Sequence, residues 1–318
     1  MKKRFLSLIA LTSLAAPLSS AATYFLPGVS ESGGWHDAEK QWGGVDDNMC
    51  WAAQAACMTQ YWQDWFVKAG NTLPDGTPNG YGVSKRSDGI RSSNIFETYK
   101  ANWTNVGGLS EFGLPWYFTG TPDPEYYDHG YSRNPQWSHL TTSGQGGYFS
   151  QEFTGPEDFF QKVNFLEHRE TDGGLSIYEL TDKLMDLITV EYSIVGLTLD
   201  FWNRNPMSYY GGHAVTLWGF DTDDSTGLVS AIYITDSDDN AHALVRYDLV
   251  TYYDGADIEM PSYLTAAQQE KYSVTIDKFY SLSVADFVAA IPEPSSFGLL
   301  AGVVALGAGA CARRRRRC

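Results

Sequence analysis

The sequence predicts an α+β domain in which a helix early in the chain packs on a later, mostly antiparallel sheet. Residues 50–68 are rich in helix-forming residue types and end at Gly70, which predicts the helix. The last third of the chain contains several short apolar, β-branched and aromatic segments separated by Asp, Ser and Gly turns, which predict the strands. A helix followed by a run of strands is the α+β pattern.

The early helix opens with Cys50 and carries a series of alanines in its first two turns. Asp46, Asp47 and Asn48 lie just upstream and are residue types that cap helix N-termini. We therefore expect one of these side chains to cap the helix.

The middle of the chain, residues 70–170, is dense in Gly, Pro, Asn, Tyr and Trp and has little periodicity. Short helices are expected near residues 91–101 and 156–167. Aromatic-rich loops often form a binding surface. Ordinary loop packing is the alternative, and the composition favours neither.

The pattern is clearer after residue 175. Ser176 and Glu179 form a capping box for a helix over residues 177–189. Strands are then predicted over residues 192–199, 214–220, 228–235, 244–249 and 273–283.

Both ends of the chain carry features of targeting signals. Lys2, Lys3 and Arg4 precede an apolar run over 5–17 and small residues through Ala22, which predicts a secretory signal peptide over residues 1–22, cleaved after residue 21 or 22. Near the C-terminus an apolar stretch over 297–312 is followed by five arginines, a pattern typical of a short membrane-spanning segment with a basic stop. The expected mature domain is therefore residues 23–290.

The mature domain is strongly acidic. Residues 23–290 keep 14 basic and 37 acidic residues, a net charge of −23. Nucleic acid is excluded as a natural partner, because phosphate binding needs the opposite sign of charge. The acidity favours solubility after export and gives a weak preference for cationic partners.

The cysteines argue against a disulfide framework. Cys311 and Cys318 belong to the tail, so the mature domain keeps Cys50 and Cys57. Seven residues of helix separate these two thiols by about 10 Å, which is too far for a bridge. The chain has no HExxH motif, no metal-type Cys pair and no close His pair, so we expect no metal and no other cofactor.

One group of residues suggests nucleophilic chemistry. Cys50 starts the predicted helix, where backbone N–H groups lower a thiol pKa and can stabilise an oxyanion. His213 follows two glycines and opens an apolar strand, and Asp236 and Asp238 follow the next strand. If the two strands pair, either carboxylate can orient the imidazole, and alternation places both on one side.

Each of these residues has an ordinary interpretation. Cys50 can be a buried small apolar residue, and His213 a hydrogen-bonded core histidine. The Asp-Ser-Asp-Asp run can be a solvated turn or a calcium loop. Cys57, two turns into the helix, is expected in the core.

Two blocks of sequence resemble a known family. Residues 33–56, GGWHDAEKQWGGVDDNMCWAAQAA, and residues 213–241, HAVTLWGFDTDDSTGLVSAIYITDSDDNA, are similar to the streptococcal immunoglobulin-degrading cysteine endopeptidases of the IdeS or Mac type. The resemblance implies a papain-like fold with an N-terminal catalytic helix. The Cys50-Trp51 step is also similar to papain-type enzymes. Residues 70–190 cannot be aligned convincingly with the family by eye, and the similarity is expected to extend from about residue 30 to 285.

The resemblance assigns roles by position. It implies that Cys50 is the nucleophile, His213 the general base and Asp236 the residue that orients the imidazole. Asp238 falls on a second, supporting aspartate, and Lys40 on a lysine that forms the oxyanion hole with the Cys50 backbone N–H. These five residues are the candidate catalytic residues.

The tail also resembles a known signal. Pro292, Glu293 and Pro294, followed by the apolar segment and the arginines, resemble the PEP-CTERM sorting signal of Gram-negative bacteria. This implies that residues 291–318 are an address that contacts the membrane transiently and is removed. A plain tail anchor is the alternative.

Together these features predict a secreted or envelope-associated cysteine endopeptidase that cleaves a folded extracellular protein, with immunoglobulin as one candidate. Two rival functions remain open. One is a peptidoglycan amidase or peptidase with the same Cys–His chemistry, and the other is a catalytically inactive surface binding module.

Overall fold

A computed structural model describes residues 22–41, 44–85, 91–103, 105, 107–108, 110–121, 146–169, 176–239, 241–252 and 257–291 of the 318. The predicted signal peptide, apart from Ala22, lies outside these residues. The predicted sorting segment from residue 292 onward also lies outside them.

The described chain combines helices with antiparallel strands, which confirms the predicted α+β mixture. The helices are α1 (Cys50–Lys68), α2 (Asn94–Asn102), α3 (Ser110–Thr119), α4 (Pro156–Lys162), α5 (Ile177–Met185), α6 (Ala266–Gln269) and α7 (Ala285–Ala290). The strands are β1 (Thr23–Phe25), β2 (Tyr81–Lys85), β3 (Arg91–Ser93), β4 (Leu166–Arg169), β5 (Ser193–Arg204), β6 (Met207–Thr222), β7 (Val229–Thr235), β8 (Val245–Asp248), β9 (Val250–Tyr252), β10 (Asp257–Glu259) and β11 (Tyr272–Ser283).

One large sheet organises the described residues. Its strands follow the order β8-β7-β6-β5-β11-β10-β9, with β1 paired to β6 and β4 paired to β11. All of these pairings are antiparallel. Strands β2 and β3 form a separate hairpin. The long strands β5, β6 and β11 give the sheet its buried centre.

Helix α1 has the bounds that the sequence predicts and packs on the centre of the sheet. Nearly its whole length is buried, including the small residues Ala52, Ala53, Ala55 and Ala56. Small side chains let a helix backbone approach a sheet closely. The amide of Gln54 uses this closeness and donates to the carbonyls of Leu197 on β5, at 2.8 Å, and Val215 on β6, at 2.6 Å.

The predicted capping of α1 is wrong. The N-cap is Met49, and no side chain caps it. Asp46 instead braces the preceding loop, where its two oxygens accept from the Gln41 backbone at 2.9 Å and contact the Lys100 ammonium at 3.1 Å. The N–H groups of the first helical turn are therefore not used by a capping side chain, which suits a helix that starts with a candidate nucleophile.

The other helices follow the sequence with different lengths. The Ser176–Glu179 capping box is present, but α5 ends at Met185 and continues as a π-helix over Asp186–Val190. The helix expected over 156–167 ends at Lys162, and the chain then enters β4. Helix α3, with Pro115 in its interior, was not predicted.

The aromatic residues of the middle segment pack into the core. Trp62 of α1 contacts Phe118 and Phe149 at ring-centroid distances of 4.9 and 5.1 Å. Trp103 and Trp116, also buried, form a T-shaped pair at 5.7 Å. In its described part this segment therefore follows the loop-packing interpretation. Residues 122–145 lie outside the described chain.

Among the described residues, no helix is both long and apolar enough to cross a membrane.

Gly219 of β6 is required for the pairing with β1. A Cβ atom at this position would lie 2.5 Å from the Tyr24 carbonyl oxygen and 2.4 Å from the Phe25 ring. We expect Gly219→Ala to lower the free energy of unfolding by about 1–3 kcal/mol, because overpacking forces the strands apart. Urea unfolding followed by circular dichroism measures this.

Gly211→Ala is the matched control on the same strand, since a Cβ there meets no heavy atom within 4 Å among the described residues. Equal stability of the two variants would contradict this account of the β1–β6 contact.

Candidate active site

The site forms where β6 changes from an exposed to a buried strand. Residues 207–212 are exposed or half-buried, and His213 is the first buried residue of β6. Strand β7 pairs with β6 in the register Thr216↔Thr235 and ends there, so that Asp236 follows directly. The hairpin brings His213 Nε2 to 2.7 Å from Asp236 Oδ1. Both side chains are buried.

Cys50 approaches His213 from the helix side. Its half-buried thiol lies at the N-terminus of α1, close enough to His213 for that residue to lower the thiol pKa. Asp236 occupies Nε2, so the ring nitrogen left for the thiol is Nδ1. This is the order of contacts that a nucleophile, a base and an orienting carboxylate require.

The pKa shifts of Cys50 and His213 favour the thiolate–imidazolium ion pair. Burial by itself raises the pKa of Cys50, but the hydrogen bond and charge of His213, aided by the Ala214 backbone and Lys40, bring that pKa below its ordinary value. Burial by itself lowers the pKa of His213, but the charge and hydrogen bond of Asp236, with those of Cys50, raise it well above its ordinary value. Each group therefore stabilises the charged form of the other.

Asp236 is held as a buried carboxylate by three donors. Burial alone raises its pKa, but the charge and hydrogen bond of His213 lower it, assisted by Tyr263 and the Asp238 backbone. The Asp238 N–H donates to Oδ1 at 2.9 Å, and the Tyr263 hydroxyl donates to Oδ2.

Lys40 reaches the same place from the segment before α1. Its backbone N–H donates to the Ser237 carbonyl at 3.1 Å, which aligns residues 36–40 with the end of β7. Its buried ammonium lies 2.5 Å from Asp238 Oδ1 and donates to the Asp47 carbonyl at 2.5 Å. Asp238 Oδ2 lies 3.6 Å from His213 Nδ1. Asp238 thus lies between the imidazole and the lysine.

The structure brings all five predicted site residues into one cluster. The prediction that both aspartates lie on the same side agrees with this geometry, and each contacts a different ring nitrogen. Asp236 makes the close, buried contact and Asp238 the longer one, which separates two residues that the sequence left equivalent.

Three residues that support the cluster were not predicted as site residues. Gln54 fixes α1 on the sheet, Asp46 braces the loop between Lys40 and Cys50, and Tyr263 holds Asp236. Each acts across a long stretch of sequence or through an irregular loop. The only local signal is that Gln54 is a polar residue one helical turn after Cys50, in an otherwise apolar helix face.

The same cluster is the candidate metal site. One ligand atom from each of His213, Asp236 and Asp238 lies within 4.8 Å of the others, the one such group found in the described chain. Asp236 already accepts hydrogen bonds from His213 and Tyr263, and Asp238 contacts the Lys40 ammonium. The geometry therefore fits a hydrogen-bonded acid–base cluster.

Cys57 has the opposite character to Cys50. It is buried in the core, and its Sγ accepts from the Ala38 backbone at 3.2 Å. Burial, with the charge of Asp37, raises the pKa of this thiol well above its ordinary value. Its place in the core is the one expected from the sequence.

Comparison with known proteins gives two family matches. The Mac 1 family profile (Mac-1) matches residues 136–258, a range that contains His213, Asp236 and Asp238. The PEP-CTERM protein-sorting motif matches residues 290–316. No curated protein matches the chain significantly.

One solved structure was compared with the chain. A repair endonuclease from Pyrococcus abyssi aligns at 10% identity with a TM-score of 0.16, over 44% of this chain and 56% of that one. The chain thus spans little more than half of that structure's length, and at this TM-score the likeness supports no conclusion.

The Mac family is one of cysteine proteases, so the match supports a hydrolase. The sorting motif indicates export and association with the cell envelope of a Gram-negative bacterium. Both resemblances predicted from the sequence, to the Mac family of cysteine endopeptidases and to the PEP-CTERM sorting signal, are therefore confirmed.

Proposed function

We propose that the protein is a secreted, papain-like cysteine endopeptidase that cleaves a folded extracellular protein. The observation that carries the proposal is the hydrogen bond from His213 to Asp236 beside Cys50, a thiol at a helix N-terminus whose pKa His213 lowers. A buried core cysteine needs no such base, and a solvated turn needs no such histidine.

The proposed division of the chain is a signal peptide over 1–22, a peptidase domain over 23–290 and a sorting segment over 291–318. Strand β1 begins at Thr23 and helix α7 ends at Ala290, which supports these limits for the domain.

In the acylation step the Cys50 thiolate attacks the carbonyl carbon of the scissile peptide bond. The carbonyl oxygen becomes an oxyanion, which the Cys50 backbone N–H and the Lys40 ammonium stabilise. Protonated His213 then gives its Nδ1 proton to the leaving amine nitrogen. The C–N bond breaks, and a thioester remains on Cys50.

In the deacylation step a water molecule gives a proton to His213 as its oxygen attacks the thioester carbon. The C–S bond breaks, the acid product leaves, and the thiolate–imidazolium pair is restored. Asp236 keeps the imidazole oriented throughout and stabilises its positive charge.

Asp238 is proposed to place Lys40. Its Oδ1 contacts the ammonium, so Lys40 has a fixed position between the loop before α1 and the end of β7. A substrate oxyanion would compete for this ammonium, and only the transition state carries enough charge to gain from it.

We expect Cys50→Ala to abolish cleavage, because the nucleophile is lost, while Cys57→Ala keeps it. Wild type and both variants are incubated with immunoglobulins, a panel of mucosal proteins and cell-wall sacculi. Fragments are read by mass spectrometry. Protein fragments from the wild type and Cys57→Ala alone establish the endopeptidase and name its cleavage site. Muropeptides with every protein intact would instead favour the amidase.

We expect iodoacetamide to alkylate Cys50 near neutral pH while Cys57 stays unmodified. The pKa of Cys50 is lowered, so its thiolate persists below the pKa of an ordinary thiol, about 8.5. The alkylation rate should therefore hold as pH falls from 8 and be lost only when the ion pair is protonated. Peptide mapping across a pH series measures this. A rate that follows an ordinary thiol titration, or a silent Cys50, would favour the binding module.

We expect Lys40→Met to lower kcat by about 100-fold with little change in KM, the typical loss when one oxyanion donor is removed. Alkylation of Cys50 should change much less, since His213 and the Ala214 backbone lower the pKa of that thiol more than Lys40 does. Asp238→Asn is the companion variant, because it releases Lys40 without removing it. A parallel fall of kcat and alkylation in Lys40→Met would mean that Lys40 acts on the thiol and not on the oxyanion.

A further inference from the structure

Asp236 has a third partner in the cluster. Its Oδ1 accepts from His213 and from the Asp238 backbone, while its Oδ2 accepts from the hydroxyl of Tyr263. Among the described residues, Oδ2 receives no other hydrogen bond. The direction of the Asp236 carboxylate is therefore set from one side by the base and from the other by this tyrosine.

The backbone around Tyr263 is itself fixed by hydrogen bonds to neighbouring elements. Tyr263 ends a short 3₁₀ helix, Pro261–Tyr263, and the chain on either side is fixed to its surroundings. Met260 N–H donates to the Val274 carbonyl of β11 at 2.9 Å, and the Asp248 N–H of β8 donates to Ser262 Oγ at 3.2 Å. The Gln269 amide donates to the carbonyls of Pro261, at 2.8 Å, and Leu264, at 2.9 Å.

The tyrosine ring is held as firmly as its backbone. It packs against Phe201 of β5 and Tyr247 of β8 at centroid distances of 6.0 and 5.2 Å. A rigid ring with one hydroxyl on a buried carboxylate is suited to fixing that carboxylate's rotation about its Cβ–Cγ bond. Without the hydroxyl the carboxylate can rotate, and Oδ1 no longer points at His213 Nε2.

We propose that Tyr263 is a positioning residue of the active site, which orients Asp236 and through it the His213 imidazole. The inference rests on the proposed Cys–His–Asp function. Tyr263 touches neither substrate nor thiol in this role. It acts only through Asp236, so its effect should disappear when Asp236 is removed. A residue that only packs in the core would have the same effect with or without Asp236.

The test is a double-mutant cycle on Cys50 alkylation, which can be measured even in variants that no longer cleave. The proteins are wild type, Tyr263→Phe, Asp236→Ala and the double variant, all as full mature chains treated with iodoacetamide at pH 7. Tyr263→Phe keeps the ring and removes only the hydroxyl. We expect it to slow alkylation by about 10-fold in the wild type, the scale of a small misplacement of a catalytic group.

In the Asp236→Ala background the same change should alter the rate by less than about 2-fold, because the carboxylate through which Tyr263 acts is gone. Asp236→Asn replaces Asp236→Ala if the latter does not fold, as judged by its thermal unfolding. With a cleaved substrate in hand, Tyr263→Phe should lower kcat and leave KM within a factor of about 2.

Tyr247→Phe is the matched control. Tyr247 lies in the same ring stack, and its hydroxyl has no hydrogen bond to Asp236 in the described part of the chain. It should react like the wild type. Three outcomes overturn the inference: no loss in Tyr263→Phe, the same loss in both backgrounds, or an equal loss in Tyr247→Phe. An unreactive Cys50 in the wild type would instead refute the proposed function.

Discussion

The candidate active site depends first on a contact that contains none of the candidate catalytic residues. The buried amide of Gln54, one turn after Cys50, donates to one carbonyl on β5 and one on β6. Its oxygen also accepts from the Ser110 hydroxyl of α3. Apolar packing would hold α1 on the sheet but would leave it free to slide. These directed bonds set where along the sheet the helix begins, and therefore whether Cys50 meets His213.

The second constraint is electrostatic. The domain as a whole is strongly acidic, yet its site is built around two buried cationic groups, Lys40 and His213. Each cationic group is paired with a carboxylate: Asp238 contacts the lysine, and Asp236 contacts the imidazole. Such pairs contribute little net stability, because burial removes the water that each charge had. These ion pairs fix the places in the domain where a buried charge is stabilised, as an oxyanion and an imidazolium require.

Some of this arrangement could be predicted from the sequence. The limits of α1 followed from residue type alone, and the hairpin of β6 and β7 followed from two apolar runs with a turn between them. Because side chains alternate along a strand, the sequence also placed Asp236 and Asp238 on one side. These predictions share one property: each needs only residues that are close in the chain.

What the sequence did not predict depends on distant residues. Gln54 bonds to residues 143 and 161 positions away, and Tyr263 reaches Asp236 across 27 positions that include strands β8, β9 and β10. Asp46 is a residue type that commonly caps helices, but the loop turns its side chain toward Gln41 and Lys100. These tertiary contacts outweigh its capping propensity. Lys40 was assigned by resemblance alone, since a lysine in a polar loop gives no local sign of burial.

The pairing of β1 with β6 also bears on when the proposed peptidase could become active. Ala22 and Thr222 are hydrogen-bonded across 200 positions, and β11, in the middle of the sheet, is almost the last element of the domain. A chain that crosses a membrane from its N-terminus presents Cys50 early but cannot close this sheet until β11 has followed. Because Cys50 and His213 are aligned by that sheet, the proposed peptidase would gain its site only after β11 has joined the sheet, late in the export that the proposed signal peptide directs.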